Sequence, residues 1–203
     1  MDDTTQRLVA EAKNGDSSAM DALYRRYIER VHSIVRARLG RELRSKLDSW
    51  DVVQTVLLES LRDLHQFEYK AEGDFLNWLS RIVENRIRDK IDFFRAAKRD
   101  LSREQPLDVA GADSTSGGEG LALADRHAAT PSQNVRAREE MEMLERALDS
   151  LSPEHREVVI LAKYEGLSYQ EIAERLGKTS AAVRMLLARA LASLSRFVGE
   201  GSA

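Results

Sequence analysis

Residues 168–191 read SYQEIAERLGKTSAAVRMLLARAL, and their pattern indicates how the C-terminal part of the chain folds. It holds two amphipathic segments on either side of Gly177. Ala173 lies on the first segment, and Val183 and Leu186 lie on the second. A small residue lets two helices cross closely, and glycine permits the positive φ that a tight turn requires. The spacing therefore predicts a helix-turn-helix.

The charge of this region favours contact with phosphates. Between positions 175 and 199 there is no acidic residue, and there are five basic ones: Arg175, Lys178, Arg184, Arg189 and Arg196. A helix-turn-helix that reads DNA inserts the start of its second helix into the major groove. The side chains expected at base edges are then Thr179, Ser180, Ala181 and Arg184, with Lys178 and Arg189 at phosphates. A small helical bundle with a solvated basic face is the alternative.

The amino-acid composition excludes several classes of protein and of binding site. The 203 residues include 31 Lys and Arg, 34 Asp and Glu, and no cysteine, which excludes a disulfide scaffold and a thiolate metal site. The four histidines are far apart in sequence, so we expect no metal and no cofactor. Apolar runs are far shorter than the ~20 residues that span a bilayer. The start MDDTTQRL is not a signal peptide, so we expect a cytoplasmic protein without membrane insertion.

Few prolines and many helix-forming residues predict an all-α protein. Residues 101–134 hold two of the three prolines and a Ser/Gly cluster, and they lack a sustained amphipathic period. We interpret them as a flexible linker. The chain is thus expected to consist of two small helical domains, 1–100 and 135–203.

Apolar spacing predicts four helices in the first domain. The first ends at Asn14-Gly15, the second follows a cap at Asp16 or Ser17, and the third follows a cap at Asp48 or Ser49. The fourth begins at Asp74. In the second domain we expect a helix over 135–151, another that begins near Pro153 and ends at Gly166, and the two helices of the helix-turn-helix.

The fourth helix is basic. Between positions 81 and 99 it carries seven Lys or Arg residues and three Asp or Glu residues. The loop before it holds Phe67, Tyr69 and Lys70. Aromatic rings for stacking beside cations for phosphates suit single-stranded DNA. Trp78 shares the helical spacing of the apolar residues, and we interpret it as core rather than as a base wedge.

Three motifs in order resemble the extracytoplasmic-function (ECF) class of the sigma-70 family of bacterial RNA polymerase sigma factors. The segment DSWDVVQ, from Asp48 to Gln54, is similar to the D-x-x-D-hydrophobic-hydrophobic-Q pattern of that family. The segment DFLNWLSRIVENRIRD, 74–89, is similar to F-x-x-W-L-x-x-I-x-x-N. The segment 152–184 resembles region 4, from its opening L-x-P through the helix-turn-helix. Thr55 departs from the pattern, because the family often has Glu after the Gln.

The resemblance implies a sigma factor without catalytic activity of its own. Its first domain (region 2) would dock on the clamp helices of the polymerase β′ subunit through Asp51 and Gln54, and it would open the -10 promoter element. Its second domain (region 4) would read the -35 element and contact the β flap. An anti-sigma factor is a further expected partner. The residues implied at the -10 element are Phe67, Tyr69, Lys70, Arg81, Asn85 and Arg88.

Two other functions fit the same sequence. One is a conventional transcription regulator, with an N-terminal sensor or dimerisation domain and an operator-binding helix-turn-helix. The basic fourth helix argues against it, because such a domain does not need that composition. The other is a protein-interaction adaptor, which would leave the acid-free basic stretch 175–199 without a purpose. No nucleotide-binding glycine loop, nucleophile elbow or His-Glu metal motif points to an enzyme.

Overall fold

The computed structural model describes residues 3–101 and 131–200, and within these ranges the chain is helical and contains no strand. The N-terminal domain comprises α1 (Asp3–Lys13), α2 (Ser17–Arg38), α3 (Arg41–Arg44), α4 (Ser49–Asp63), a 3₁₀ turn (Leu64–Gln66) and α5 (Asp74–Leu101). The C-terminal domain comprises α6 (Pro131–Asp149), α7 (Pro153–Val159), a π-helical turn (Ile160–Tyr164), α8 (Tyr169–Leu176) and α9 (Ser180–Glu200). The predicted all-α, two-domain fold is confirmed.

The N-terminal helices begin where the sequence predicts. The Asp16 carboxylate caps α2 by accepting hydrogen bonds from the backbone N–H groups of Ser18, at 2.8 Å, and Ala19, at 3.1 Å. Asp48 caps α4 by accepting from the N–H of Trp50 at 2.7 Å. Such caps satisfy N–H groups that have no partner inside the helix. The short α3 was not predicted, because four residues after Gly40 are too few to show a period.

Helix α2 is the centre of the N-terminal core, and α1, α4 and α5 pack around it. Leu23, Val31 and Ile34 of α2 are fully buried, together with Val56 of α4 and Phe75 of α5. The side chains that form this stripe recur every three or four residues, as a helix with one buried face requires. The exposed faces of α4 and α5 are consequently held in fixed orientations.

The C-terminal domain has a core of its own, formed by Leu148, Val158, Leu161, Ile172 and Val183. Pro153 occupies the first turn of α7, after a cap by the Ser152 hydroxyl, as predicted. The structure differs from the prediction at two places. Helix α6 begins at Pro131 rather than near position 135. The helix after Pro153 changes to a π turn before it ends at Gly166.

The two domains touch each other. Helix α2 packs against the π turn and α6 of the C-terminal domain. Ala37, near the end of α2, is part of the C-terminal core, and Tyr164 packs against both cores. Most of the predicted linker, residues 102–130, lies outside the described residues. No helix within the described ranges is long and apolar enough to cross a membrane.

Candidate nucleic-acid interface

The helix-turn-helix is built by local interactions that the sequence encodes. Ser168 and Glu171 form a reciprocal capping box at the start of α8: the Ser168 N–H donates to the Glu171 carboxylate at 2.7 Å, and the Glu171 N–H donates to the Ser168 hydroxyl at 3.3 Å. Gly177 ends α8 in the left-handed conformation, with φ of 63°. Ala173 and Val183 are buried where α8 and α9 meet. The crossing predicted from these residues is confirmed.

The outward face of α9 is lined by small and basic residues. Ala181, Arg184 and Ala188 are exposed and share this face, because their spacing is three to four residues. Met185, beside them, is 56% exposed. The Arg184 guanidinium lies 5.5 Å from the centre of the Tyr169 ring of α8, a cation–π contact. The long Arg184 side chain therefore lies beside Tyr169, between the start of α8 and the start of α9.

Of the remaining residues predicted at the -35 element, Thr179 and Lys178 contact other side chains or backbone groups of the domain. The Thr179 hydroxyl caps α9 by accepting from the N–H of Ala182 at 3.2 Å. Ser180 is half-buried, and Arg189 is exposed. The Lys178 ammonium lies 2.6 Å from the Glu154 carboxylate of α7, and this hydrogen bond and charge hold the pKa of Glu154 below its usual value. Arg184 and Arg189 are therefore the cations that α9 itself presents to solvent at this end.

A second basic surface lies along α5. Arg81, Asn85 and Arg88 are exposed, and their spacing of four and three residues places them on one side of the helix. Arg88 pairs with Glu84 at 3.1 Å. In the loop before α5, Lys70 is exposed and Tyr69 is half-buried. Of the six residues predicted at the -10 element, four are thus exposed, and Tyr69 is half-buried against the N-terminal core.

Phe67 requires a correction. Its side chain is only 6% exposed, and its ring packs against those of Phe75, at 5.4 Å between centroids, and Trp78, at 5.0 Å. The ring belongs to the core because it closes the gap between the 3₁₀ turn and α5, so it cannot stack on a base here. Trp78 is half-buried in the same aromatic cluster, as predicted.

A third surface lies on α4, where the polymerase contacts are expected. Asp51 is exposed and Gln54 is half-buried. Leu58 and Leu61, on the following turns, are 44% and 39% exposed. Their exposure does not follow from the sequence, since an exposed leucine at the edge of an apolar stripe has the same spacing as a buried one. Glu59 is not available on this surface, because it pairs with Arg86 of α5.

Comparison with known proteins assigns the chain to a family. Sigma-70 region 2 matches residues 23–99, and Sigma-70 region 4 matches residues 141–194. The ECF RNA polymerase sigma factor SigD of Mycobacterium tuberculosis is 32% identical over 193 residues, which cover 92% of this chain and 80% of SigD. The RNA polymerase sigma factor CarQ of Myxococcus xanthus is 28% identical over 188 residues, which cover 93% of this chain and 94% of CarQ.

Solved structures show the same fold. The structure of CnrH in complex with the cytosolic domain of CnrY aligns with a TM-score of 0.57 and 24% identity, covering 98% of this chain and 99% of that one. The sigma factor RpoE, in complex with the anti-sigma factor NepR from Bartonella quintana, aligns with a TM-score of 0.56 and 18% identity, covering 88% of this chain and 96% of RpoE.

The matched regions and the order of the motifs define a two-domain RNA polymerase sigma factor. The chain belongs to the ECF class of the sigma-70 family, a family of transcription initiation factors that bind core polymerase and promoter DNA. This assignment favours the sigma factor over the conventional regulator.

Proposed function

We propose that three separate surfaces of this chain bind the two promoter elements and the polymerase. The outward face of α9 reads the -35 element, the exposed side of α5 with its preceding loop binds the -10 element, and α4 docks on the β′ clamp helices. The observation that carries this proposal is the simultaneous exposure of these three faces on helices whose opposite sides are buried. A rigid helix face presents side chains at fixed spacings, which base and partner recognition require.

On α9, Arg184 is the principal reader of bases. Its guanidinium can donate two parallel hydrogen bonds to the O6 and N7 atoms of guanine, the strongest side-chain contact available in the major groove. Ala181 and Ala188 let the helix approach the base edges closely. Lys178 and Arg189 contact phosphates, for which Lys178 must leave Glu154. The Thr179 hydroxyl orients the start of α9, and Ser180 lies next to the bases.

On α5, Asn85 supplies the amide that hydrogen-bonds to an exposed base, while Arg81 and Arg88 neutralise phosphates on either side of it. Tyr69 and Lys70 extend this surface into the loop, where a ring and a cation suit an unstacked base and its phosphate. Phe67 supports the loop from inside. The buried contacts of Phe67 with Phe75 and Trp78 fix the position of Tyr69 relative to α5.

On α4, Asp51 and Gln54 make polar contacts with the clamp helices, and Leu58 and Leu61 bury apolar surface against them. Interfaces commonly combine an apolar centre with a polar rim.

The C-terminal domain contacts the β flap. The domains are functional units over 1–100 and 135–203, joined by 101–134. The chain acts in the cytoplasm, has no catalytic activity and no cofactor, and is held inactive by an anti-sigma factor.

Run-off transcription with purified core polymerase and a promoter library tests the proposal. Transcripts that require this protein and start at a fixed distance from shared -35 and -10 elements are expected. Arg184→Ala should weaken selection at one or two positions of the -35 element, and Asn85→Ala should impair opening. Arg196→Ala, on an exposed later turn of α9, is the matched control. Unchanged transcription by both Arg184→Ala and Asn85→Ala would contradict the residue assignments.

A further inference from the structure

Trp50 is an exposed tryptophan that the contacts proposed so far do not use. Its side chain is 44% exposed near the start of α4. In the D-x-x-D-hydrophobic-hydrophobic-Q pattern it occupies the second of the two unspecified positions, directly before Asp51. The family pattern therefore assigns no role to this ring.

The two unspecified positions of the pattern both contact the same side chain of α2. The ring of Trp50 stacks on that of His32, with 3.9 Å between centroids and 23° between planes. The hydroxyl of Ser49, the first residue of α4, lies 2.9 Å from the Nε2 atom of His32. Val31 and Ile34, close to His32 on α2, are fully buried. The ring of Trp50 is thus held against a rigid part of the N-terminal core.

The exposed side of Trp50 continues an apolar face along α4. Trp50, Leu58 and Leu61 share this face with Gln54, because successive members are three or four residues apart. Over the described residues, seven large apolar or aromatic side chains are exposed, and three of the seven lie here. Contiguous exposed apolar surface marks an interaction site, whereas single exposed apolar residues do not.

An indole that is already held in place is well suited to anchor such a contact. Tryptophan is enriched among the few interface residues that carry most of the binding free energy. Its ring buries a large apolar area and carries one N–H donor at its edge. Because His32 already restricts the ring of Trp50, little conformational freedom remains to be lost when a partner binds.

The neighbouring polar groups indicate which partner this face takes. Asp51 follows Trp50 directly and is exposed, and Gln54 lies one turn further along the same face. Both belong to the segment whose resemblance implies docking on the clamp helices of polymerase. An apolar centre with polar groups at its edge is the usual arrangement of a protein interface. A partner helix that lies along α4 would therefore cover Trp50 together with these two residues.

We propose that Trp50 anchors this chain on the β′ clamp helices and that His32 positions its ring. This inference rests on the proposed function, which takes polymerase as the partner of α4, and it adds the residue that contributes most to the affinity of this face. The polar groups beside Trp50 set the orientation of the contact, and the exposed leucines of α4 extend it. The DNA surfaces on α5 and α9 take no part in it.

Binding of the full-length chain to core polymerase tests the anchor. Trp50→Ala should raise the dissociation constant by about tenfold or more, because truncation of a central interface tryptophan removes much of the buried apolar area. Trp50→Phe should retain part of the affinity. Phe93→Ala is the matched control, since it removes a ring that is 67% exposed on α5. Equal dissociation constants for Trp50→Ala, the control and the parent would overturn the proposal.

His32→Ala separates positioning from direct contact. It should raise the dissociation constant by about threefold, because the freed ring of Trp50 must then be ordered on binding, while His32→Phe should keep the stacking and most of the affinity. In a Trp50→Ala background, His32→Ala should cause no further loss, since it acts through the ring. An equal loss in both backgrounds would overturn the positioning role.

The accessibility of the ring can also be measured with Trp50 intact. The chain has two tryptophans, so Trp78→Phe leaves Trp50 as the only one. Incorporated as hydroxytryptophan, it can be excited where the tryptophans of polymerase absorb little. Acrylamide should quench it strongly in the free chain and weakly once core polymerase is bound. Equal quenching in both would overturn the anchor. Protection in the free chain that rises with its own concentration would show that this face joins two copies, and would equally overturn it.

Run-off transcription separates this inference from the proposed function. At limiting protein, Trp50→Ala should give fewer transcripts, and saturating protein should restore them from the same start sites, because the DNA surfaces are unaltered. Transcripts that stay low at saturating protein would place Trp50 in a later step and overturn the anchor. Failure of the proposed function is distinguishable, because the parent itself would then neither bind core polymerase nor support transcripts.

Discussion

His32 is a half-buried histidine at the junction of α2 and α4. Its ring stacks on Trp50, with 3.9 Å between centroids, and its Nε2 atom lies 2.9 Å from the Ser49 hydroxyl. Burial, and secondly the charge of Arg36, lower the pKa of His32, while Glu29, Asp48 and Glu145 oppose them. The folded protein therefore favours the neutral ring.

The sign of the resulting pH dependence follows from this shift. Below about pH 6.5 the unfolded chain binds a proton at His32 more readily than the folded chain does, so stability falls as pH falls. We expect the melting temperature to drop between pH 7.5 and 5.5, and His32→Gln to reduce that drop. His65→Gln, at an exposed position, is the control. An identical drop in parent and His32→Gln would contradict this role.

Helical spacing in the sequence predicts which side chains share the exposed faces of α5 and α9, and for Arg81, Asn85, Arg88, Ala181 and Arg184 the structure places the side chain at the surface. The prediction failed for Phe67, since an aromatic residue in a polar loop has the same composition whether its ring is exposed or packed. Only the position of Phe75 and Trp78 in space shows that the ring is enclosed. Arg184 was predicted, but its contact with Tyr169 was not.

Among the elements, the helix-turn-helix depends on two local features, the positive φ of Gly177 and the capping box at Ser168, and separate mutations test each of them. Gly177→Ala should destabilise the C-terminal domain by about 1 kcal/mol or more, because φ of 63° is unfavourable for any residue with a Cβ. No side chain or backbone atom from elsewhere in the fold lies within 4 Å of the position of that Cβ, so the cost comes from the backbone conformation. Gly177→Asn should recover part of it, since Asn tolerates this conformation.

Ser168→Ala removes the hydroxyl of the capping box and should cost about 1 kcal/mol. Ser168→Asp should restore the cap. Ser195→Ala, on an exposed turn of α9, serves as control for both experiments. Thermal melts followed by circular dichroism measure all five variants. Equal melting temperatures for Gly177→Ala and the parent would show that the turn can adopt another conformation.

Helices α2 and α4 were predictable because the sequence gives each of them a capping residue and an apolar period. Asp16, Asp48 and Ser168 all cap the helices that they precede. The π turn was not predictable. Its residues continue the apolar pattern of α7. The Glu165 N–H donates to the carbonyl of Ile160, five residues earlier, at 3.1 Å, and the turn packs against α2.

For the molecule as a whole, the contact between the two domains could not be predicted from the sequence. Arg36, Arg38 and Glu165 look like surface residues in a charged chain, and nothing in their spacing pairs α2 with the C-terminal domain. Arg36 pairs with Glu145 and Arg38 with Glu165, and the partners are more than one hundred positions apart in sequence. Their pairing depends on how two separately folded units meet.

Cleavage between the domains should reveal the strength of that contact. A protease site inserted after Ser116 allows the two domains to be cut apart. Before the cut, the chain holds the domains at an effective concentration of roughly millimolar; after it, their contact is bimolecular and depends on the concentration of the fragments. We expect the two fragments to co-migrate in gel filtration at low salt and high concentration, and to separate at 1 M salt. Fragments that stay together at 1 M salt would show that apolar packing, rather than charge, holds them.

The π turn gives the joint between the domains its particular form. An i→i+5 turn contains about one residue more than an α-helical turn, so it offsets everything after it by about 100° around the helix axis. Before the turn, Val158 and Val159 face the core of their own domain, and directly after it Glu165 faces Arg38 of the other. The side chains thus rotate around the helix axis within a single turn. One continuous helical element can therefore pack an apolar face into its own domain and form an ion pair with the other domain.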